Sequence, residues 1–108
     1  MLSGYKAMWV VVMFDLPVST SAGRKSATAF RNFLLWEGYF MKQFSIYMKY
    51  FVNKDKADAS LKRISGKIPL YGNVSCLFIT DKQFGNTQNF YGKKRESNEK
   101  KPKQFDFF

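Results

Sequence analysis

An uninterrupted apolar run, AMWVVVMF at residues 7–14, leads into Asp15, Leu16 and Pro17. The run is too short for a typical globular helix and is rich in valine and aromatic residues, so it predicts a β-strand buried on both faces. Pro17 has no backbone N–H and cannot continue the hydrogen-bond ladder of a sheet. We therefore expect a core strand that ends at the sheet rim, where Asp15 either turns the chain or binds a metal.

Length and charge narrow the possible functions. A chain of 108 residues suits one small domain, because two halves would each bury too little surface. Its 18 lysines and arginines exceed its 8 acidic residues and give a net charge of +10. Such an excess favours a polyanionic partner, nucleic acid before an anionic membrane surface. The alternative is that the charge only keeps the protein in solution.

The sequence contains no histidine and one cysteine. Missing histidine excludes Ser–His and Cys–His nucleophile pairs and every zinc site that uses histidine, so any chemistry must rely on carboxylates. Cys76 cannot form an internal disulfide and is expected to be a small buried side chain. No apolar stretch approaches the ~20 residues of a membrane span, and the start lacks a signal-peptide pattern. We expect a cytoplasmic protein without membrane association.

Residues 20–37 change to helical spacing. Hydroxyl side chains at 19–21 can cap the helix start, and Gly38 is the expected left-handed terminator. Three apolar side chains fall on one face: Ala27, Phe30 and Leu34. Three cations form a stripe on other faces: Arg24, Lys25 and Arg31. Because a phosphate is favoured near a helix start, this stripe predicts nucleic-acid contact; the alternative is an ordinary solvated face.

Alternation of apolar and polar residues over 39–51 slips at Gln43 and Phe44, which predicts either two short strands or one strand with a bulge. Asn53 can cap a second helix over about 54–67. Its apolar face is expected to hold four residues: Ala57, Leu61, Ile64 and Ile68. Residues 73–80, NVSCLFIT, predict a last strong strand, and Asp81 is expected to begin a turn.

This order of elements suits an α+β sandwich of the split βαβ type. Two helices would cover one face of the sheet and leave the other apolar face open. An open apolar face of that size predicts a partner, most simply a second copy of the chain.

The composition shifts after Gln83. Phe90 and Tyr91 suggest a small additional strand, so we place a domain at 1–92 and a basic flexible tail at 93–108. Three tail cations are further candidates for nucleic-acid contact: Lys93, Lys94 and Arg95. The apolar end offers a docking peptide for a partner or is disordered surplus. Its aromatic residues are Phe105, Phe107 and Phe108.

Four segments taken together resemble the CRISPR-associated protein family two, Cas two: VVVMFDLP, FLLWEGYF, KQFSIYMKYF, and SCLFITDKQF followed by NFYG. The resemblance covers about residues 7–92. It implies a ferredoxin-like βαββαβ fold and a symmetric homodimer in which a final strand, about 88–91 with Phe90 and Tyr91, crosses to the partner's sheet. It also implies that the dimer bridges two dimers of the CRISPR integrase, Cas one, during spacer acquisition and holds double-stranded DNA.

The same resemblance implies a role for Asp15. In the family this aspartate faces its symmetry mate near the dimer axis, with a divalent ion, usually Mg²⁺, between the pair, and some members are described as metal-dependent endonucleases of RNA or DNA. The chain departs from some members in having no basic residue between Leu16 and Gly23. DNA contact is therefore assigned to Arg24, Lys25 and Arg31.

Two functions remain open, with a third, toxin-like ribonuclease as a weaker alternative. The favoured one is a scaffold that clamps DNA and spaces the integrase. The other is a magnesium-dependent endonuclease that uses paired Asp15 residues. The site proposed for this reaction has one carboxylate from each chain, Asp15, and no histidine. Metal-dependent phosphodiester hydrolysis generally uses more metal ligands than this.

Overall fold

A computed structural model describes residues 7–92. Seven elements follow one another: β1 Met8–Asp15, α1 Ser21–Trp36, β2 Phe40–Gln43, β3 Ile46–Phe51, α2 Lys54–Ser65, β4 Asn73–Ile79 and α3 Asp81–Gly85. The four strands form one antiparallel sheet in the order β2-β3-β1-β4. The predicted α+β class and the ferredoxin-like βαββαβ order are confirmed, and α3 is an addition that the sequence pattern did not predict.

Strand β1 lies between β3 and β4 because its residues are apolar on both faces. Val10 and Val12 are completely buried and form the core with Phe14, Phe30 and other residues beneath the helices. The alternate residues of β1 face the opposite side of the sheet, where Val11 is 9% exposed. The prediction of a strand buried on both faces is confirmed.

Helix α1 begins and ends as expected. The Thr20 hydroxyl accepts a hydrogen bond from the Gly23 N–H at 2.9 Å, which caps the helix start. A side chain at Gly23 would lie 2.7 Å from the Pro17 carbonyl oxygen, so the approach of the loop to the helix requires glycine there. Gly38, with φ of 95°, takes the left-handed conformation just after the helix end.

The slip at residues 43–44 corresponds to a hairpin of two strands. Ser45 has φ of 66° and turns the chain between β2 and β3. The pairing of the two strands also shifts by one residue between Met41 and Gln43. The sequence left two alternatives open, two short strands or one strand with a bulge. The structure has features of both: two strands, and a register shift in their pairing.

Three local predictions were wrong. Helix α2 is capped by Asn53 as expected, but it ends at Ser65, so Ile68 lies beyond it and is 41% exposed. Cys76 is exposed rather than buried because β4 is an edge strand of the sheet. Asp81 begins helix α3 rather than a simple turn, since Thr80 and Gln83 form a reciprocal capping box there.

The sheet face opposite α1 and α2 is partly covered by the chain's own α3. Phe84 of α3 packs against Trp9 with ring centroids 4.5 Å apart, and the Trp9 indole N–H donates to the Asp81 carboxylate at 2.9 Å. Beyond α3 the segment 87–91 borders a groove of about 820 Å³ that is also lined by Val11 and Met48. Among residues 7–92, no helix combines the length and apolar character needed to cross a membrane.

Candidate nucleic-acid interface and the Asp15 site

Asp15 lies at the last position of β1 with its side chain exposed. Its partner across the antiparallel ladder is Asn73, the first residue of β4. Directly paired residues project from the same face with Cβ atoms ~5 Å apart, so a carboxylate and an amide lie side by side at the sheet rim. Sequence reasoning missed Asn73, because only strand register shows which residue of β4 lies opposite Asp15.

Two polar side chains of the β2–β3 hairpin, Ser45 and Tyr47, differ in their position relative to Asp15. The Ser45 carbonyl oxygen accepts a hydrogen bond from the Phe14 N–H at 3.0 Å, so the β2–β3 turn does lie beside the end of β1. Tyr47 instead points to the helix side and is 3% exposed within the core. Burial raises the pKa of Tyr47, and the Arg31 charge opposes that rise. Tyr47 is thus excluded from the Asp15 site within one chain.

The loops around Asp15 carry exposed apolar side chains. Val18, Phe44 and Tyr71 are 54%, 87% and 88% exposed. They come from the β1–α1 loop, the β2–β3 turn and the loop before β4, which all lie at the same end of the sheet. These three side chains offer no charge for phosphate contact, in agreement with the absence of basic residues between Leu16 and Gly23.

The donor set around Asp15 is small. Within the described part of the chain, no cluster of three or more acidic, cysteine or histidine side chains could hold a metal ion. One exposed carboxylate beside an amide oxygen fits Mg²⁺ that keeps most of its water, because Mg²⁺ is commonly held by one or two carboxylates with water and phosphate oxygens. A second Asp15, or a bound phosphate, would have to complete such a site.

Helix α1 presents the basic stripe predicted from its sequence. Arg24 and Lys25 are exposed, and Arg31 is half-buried. The Arg24 Nη1 group donates to the Val18 carbonyl oxygen at 3.1 Å, and the Arg31 Nη2 group donates to the Thr28 hydroxyl at 3.3 Å. No acidic residue occurs in Ser21–Trp36, so the positive charge of this helix is uncompensated along its own length.

The predicted dimer contacts, Phe90 and Tyr91, are each 85% exposed. Residues 86–92 form no strand within the single chain, and Asn89 accepts a hydrogen bond from the Lys42 ammonium at 3.0 Å. Exchange of this segment requires a second copy, so the exchanged strand remains a prediction. Six tail residues fall outside the described residues: Lys93, Lys94, Arg95, Phe105, Phe107 and Phe108.

Comparison with known proteins agrees with this architecture. The family model that describes CRISPR associated protein Cas2, the Cas two family, matches residues 8–87. The chain belongs to the Cas2 family. The matched span covers all four strands and all three helices, so the Cas2 resemblance of the sequence motifs extends to the whole sheet and its helices.

Curated Cas2 relatives match nearly the full chain. A protein of Paracidovorax avenae named "CRISPR-associated endoribonuclease Cas2" is 44% identical over 108 residues, which is 100% of both chains. Proteins of the same name from Flavobacterium psychrophilum and Parvibaculum lavamentivorans are 41% and 40% identical. The alignment with the Flavobacterium protein covers 99% of this chain and 93% of that relative. The alignment with the Parvibaculum protein covers 94% of this chain and 100% of that relative.

Proposed function

We propose that this Cas2 chain is the DNA-binding scaffold of CRISPR spacer acquisition, a cytoplasmic homodimer that bridges two dimers of the integrase. The observation that carries the proposal is the basic helix α1, whose three cations, Arg24, Lys25 and Arg31, have no acidic residue on the helix to neutralise them. Such an array attracts phosphates whatever their sequence, which suits a protein that must hold DNA of arbitrary sequence.

The open sheet face supports the homodimer. Val11, Leu77 and Ile79 lie on this face with Trp9, and Leu77 is 39% exposed. Association of two such faces would bury the apolar side chains that α3 leaves uncovered. Strand β4 is at the sheet edge, and its outer backbone groups could pair with residues 88–91 of a second copy.

The test is the salt dependence of binding to duplex DNA of mixed sequence. If about six phosphates are neutralised, the log–log slope of affinity against salt is about −5. Replacing Arg24, Lys25 and Arg31 together by glutamine should make that slope shallower by about 2 to 3 for each copy whose helix α1 contacts the duplex. The control is Lys82→Gln, which removes an exposed charge from α3 and should change the slope by much less than one. Affinity that is equal at low and high salt would contradict the proposal.

A second candidate function is a magnesium-dependent endoribonuclease or endonuclease. The name of the relatives, "CRISPR-associated endoribonuclease Cas2", favours a ribonuclease. In this second candidate function the metal is held by Asp15 from each copy of a homodimer. Bound Mg²⁺ would polarise a phosphate oxygen and lower the pKa of a water molecule bound to it. In this chain Asp15 would bind the ion and Asn73 would orient water or phosphate beside it. The scaffold remains the first proposal because the Asp15 site has one carboxylate from each chain, and metal-dependent phosphodiester hydrolysis generally uses more ligands.

A further inference from the structure

A second basic site lies at the end of the sheet opposite Asp15. There the end of β3 and the outer face of α2 enclose an open groove of about 430 Å³. Phe51 at this end pairs with Met8, the first residue of β1, whereas Asp15 is the last. The groove is lined by Lys49, Tyr50, Phe51, Val52, Lys56, Ala59 and Arg63. Three of these seven side chains are cationic and none is acidic.

Arg63 is held rigidly in this groove. Its Nε and Nη2 groups donate to the two carboxylate oxygens of Glu37 at 2.6 and 2.9 Å. The Glu37 side chain is 3% exposed and the Arg63 side chain 55%, so the ion pair has a buried acidic end and an open basic end. A guanidinium has five N–H donors, and the three that Glu37 does not use have no partner in residues 7–92. Arg63 therefore offers an oriented donor edge to solvent.

Lys56 lies on the same side of α2, seven residues before Arg63. At ~1.5 Å per residue the two Cα atoms are separated by about 10 Å along the helix axis. Ala59 lies between them, and its small side chain keeps the groove open. The Lys56 ammonium is exposed and makes no ion pair or hydrogen bond within residues 7–92. The two cations are therefore spaced for separate phosphates rather than for a single small anion.

The local charge balance is positive. Lys49 donates to the Glu37 backbone carbonyl at 2.7 Å and brings its charge to the inner wall of the groove. The Glu37 carboxylate is neutralised by Arg63, and Asp58 is paired with Lys54 at 2.9 Å, about 200° around the helix from Lys56. Asp55 lies about 100° around the helix from Lys56 and does not line the groove.

We propose that the Lys49–Lys56–Arg63 groove binds the phosphodiester backbone of nucleic acid, with Lys56 and Arg63 on separate phosphates. This inference rests on the proposed scaffold function and adds a contact surface distinct from helix α1. Lys49 pairs with Val10 and so lies on the helix side of the sheet, which a homodimer formed through the opposite face leaves free. Each copy in such a dimer would present one groove at the end of the sheet remote from Asp15.

The experiment compares Lys56→Gln with Lys62→Gln in the full chain, using the same mixed-sequence DNA duplex between about 50 and 200 mM salt. Both residues are exposed lysines of α2, but Lys62 does not line the groove. Lys56→Gln should weaken binding several-fold at low salt and make the log–log slope shallower by about 0.9 for each groove that contacts the duplex. Lys62→Gln should change both quantities much less. Equal effects of the two substitutions would overturn the inference.

Arg63→Lys provides a second test, because lysine keeps a charge beside Glu37 but lacks the free guanidinium edge. It should lower DNA affinity when binding is measured well below the unfolding temperature of the variant, where circular dichroism shows that the chain is folded. If Lys56→Gln and Lys62→Gln have the same DNA affinity and salt dependence while the α1 triple variant loses binding, the groove proposal is wrong and the scaffold proposal is retained. If the parent chain does not bind duplex DNA, both the groove and the scaffold proposals are wrong. If Lys56→Gln weakens only the association with the integrase, the groove does not bind nucleic acid.

Discussion

Arg63 of α2 forms a two-point ion pair with the buried carboxylate of Glu37, the C-cap residue of α1. The Ser60 hydroxyl donates to the same carboxylate at 3.3 Å and lies 2.9 Å from the Tyr39 hydroxyl. These contacts join the two helices to the beginning of the β2–β3 hairpin. Burial raises the pKa of Tyr39 to about 12, so its phenol remains a neutral hydrogen-bonding group throughout the ordinary pH range.

Glu37→Gln should lower the free energy of unfolding at neutral pH by about 1–3 kcal/mol, because it removes the charged acceptor of one buried and two part-buried hydrogen bonds. The hydrogen bond from Arg63 holds the pKa of Glu37 below its ordinary value of 4.5, although burial opposes this effect. A lowered pKa in the folded state gives stability that is complete above the unfolded pKa and is lost as pH falls through the folded value. The difference between parent and variant should therefore shrink below about pH 4.5.

The measurement for Glu37→Gln is urea unfolding at a series of pH values. Asp58→Asn is the matched control, since it neutralises a carboxylate in an exposed ion pair with Lys54. Exposed pairs of this kind contribute about 0.3–0.5 kcal/mol. Equal and pH-independent losses for the two variants would show that the buried pair does not stabilise the folded chain.

Gly38→Ala should lower the free energy of unfolding by about 1–2 kcal/mol, because φ of 95° is costly for a residue with a Cβ atom. The added methyl would also lie 2.9 Å from the Lys49 ammonium, which donates to the Glu37 carbonyl. Gly66→Ala is the control, since Gly66 has φ of −84° and its nearest neighbour would be 3.6 Å away. Thermal unfolding of both variants measures the effect; a similar small change in each would refute it.

Leu77→Lys should convert the proposed homodimer into monomers at micromolar concentration, because it places a charge on the open apolar face of the sheet. Leu35→Lys is the matched control: Leu35 is 51% exposed on α1, and Leu77 is 39% exposed on β4. Light scattering after size-exclusion chromatography gives the mass of each species. A dimer that survives Leu77→Lys and is lost with Leu35→Lys would place the interface on the helix side instead.

Asp15→Ala separates the scaffold from the nuclease when it is assayed twice. We expect spacer integration with the integrase to persist within a few-fold, and any magnesium-dependent cleavage of RNA or DNA to fall by at least ~10²-fold, the scale of a lost catalytic group. Asp55→Asn is the control, because it removes an exposed carboxylate from α2. Loss of both integration and cleavage would favour the enzyme as the chain's function.

Much of the fold was predictable because its signals are local. The strand end before Pro17, the caps at Thr20 and Asn53 and the terminator at Gly38 each depend on the conformational preferences of a few neighbouring residues. The basic stripe of α1 was equally visible, since helical periodicity alone brings Arg24 and Arg31 to one face.

The errors concern residues whose surroundings come from elsewhere in the chain. Ile68 continues the helical spacing of α2, but the helix ends three residues earlier and its side chain meets solvent. Cys76 has apolar neighbours in sequence, yet the position of β4 at the sheet edge leaves it exposed. Periodicity describes a segment in isolation and does not show which elements cover it.

The amino-acid sequence by itself determined the strands β1 and β4, the helices α1 and α2, the positive charge, the absence of histidine and the position of Asp15 at a strand end, because each follows from residue chemistry over short distances. Only the tertiary structure decided that Asn73 lies beside Asp15, that Tyr47 points away from it, and that Glu37 fixes Arg63 in a groove with Lys56. These relationships join residues 7 to 58 positions apart, and the register of strands and the packing of helices set such distances.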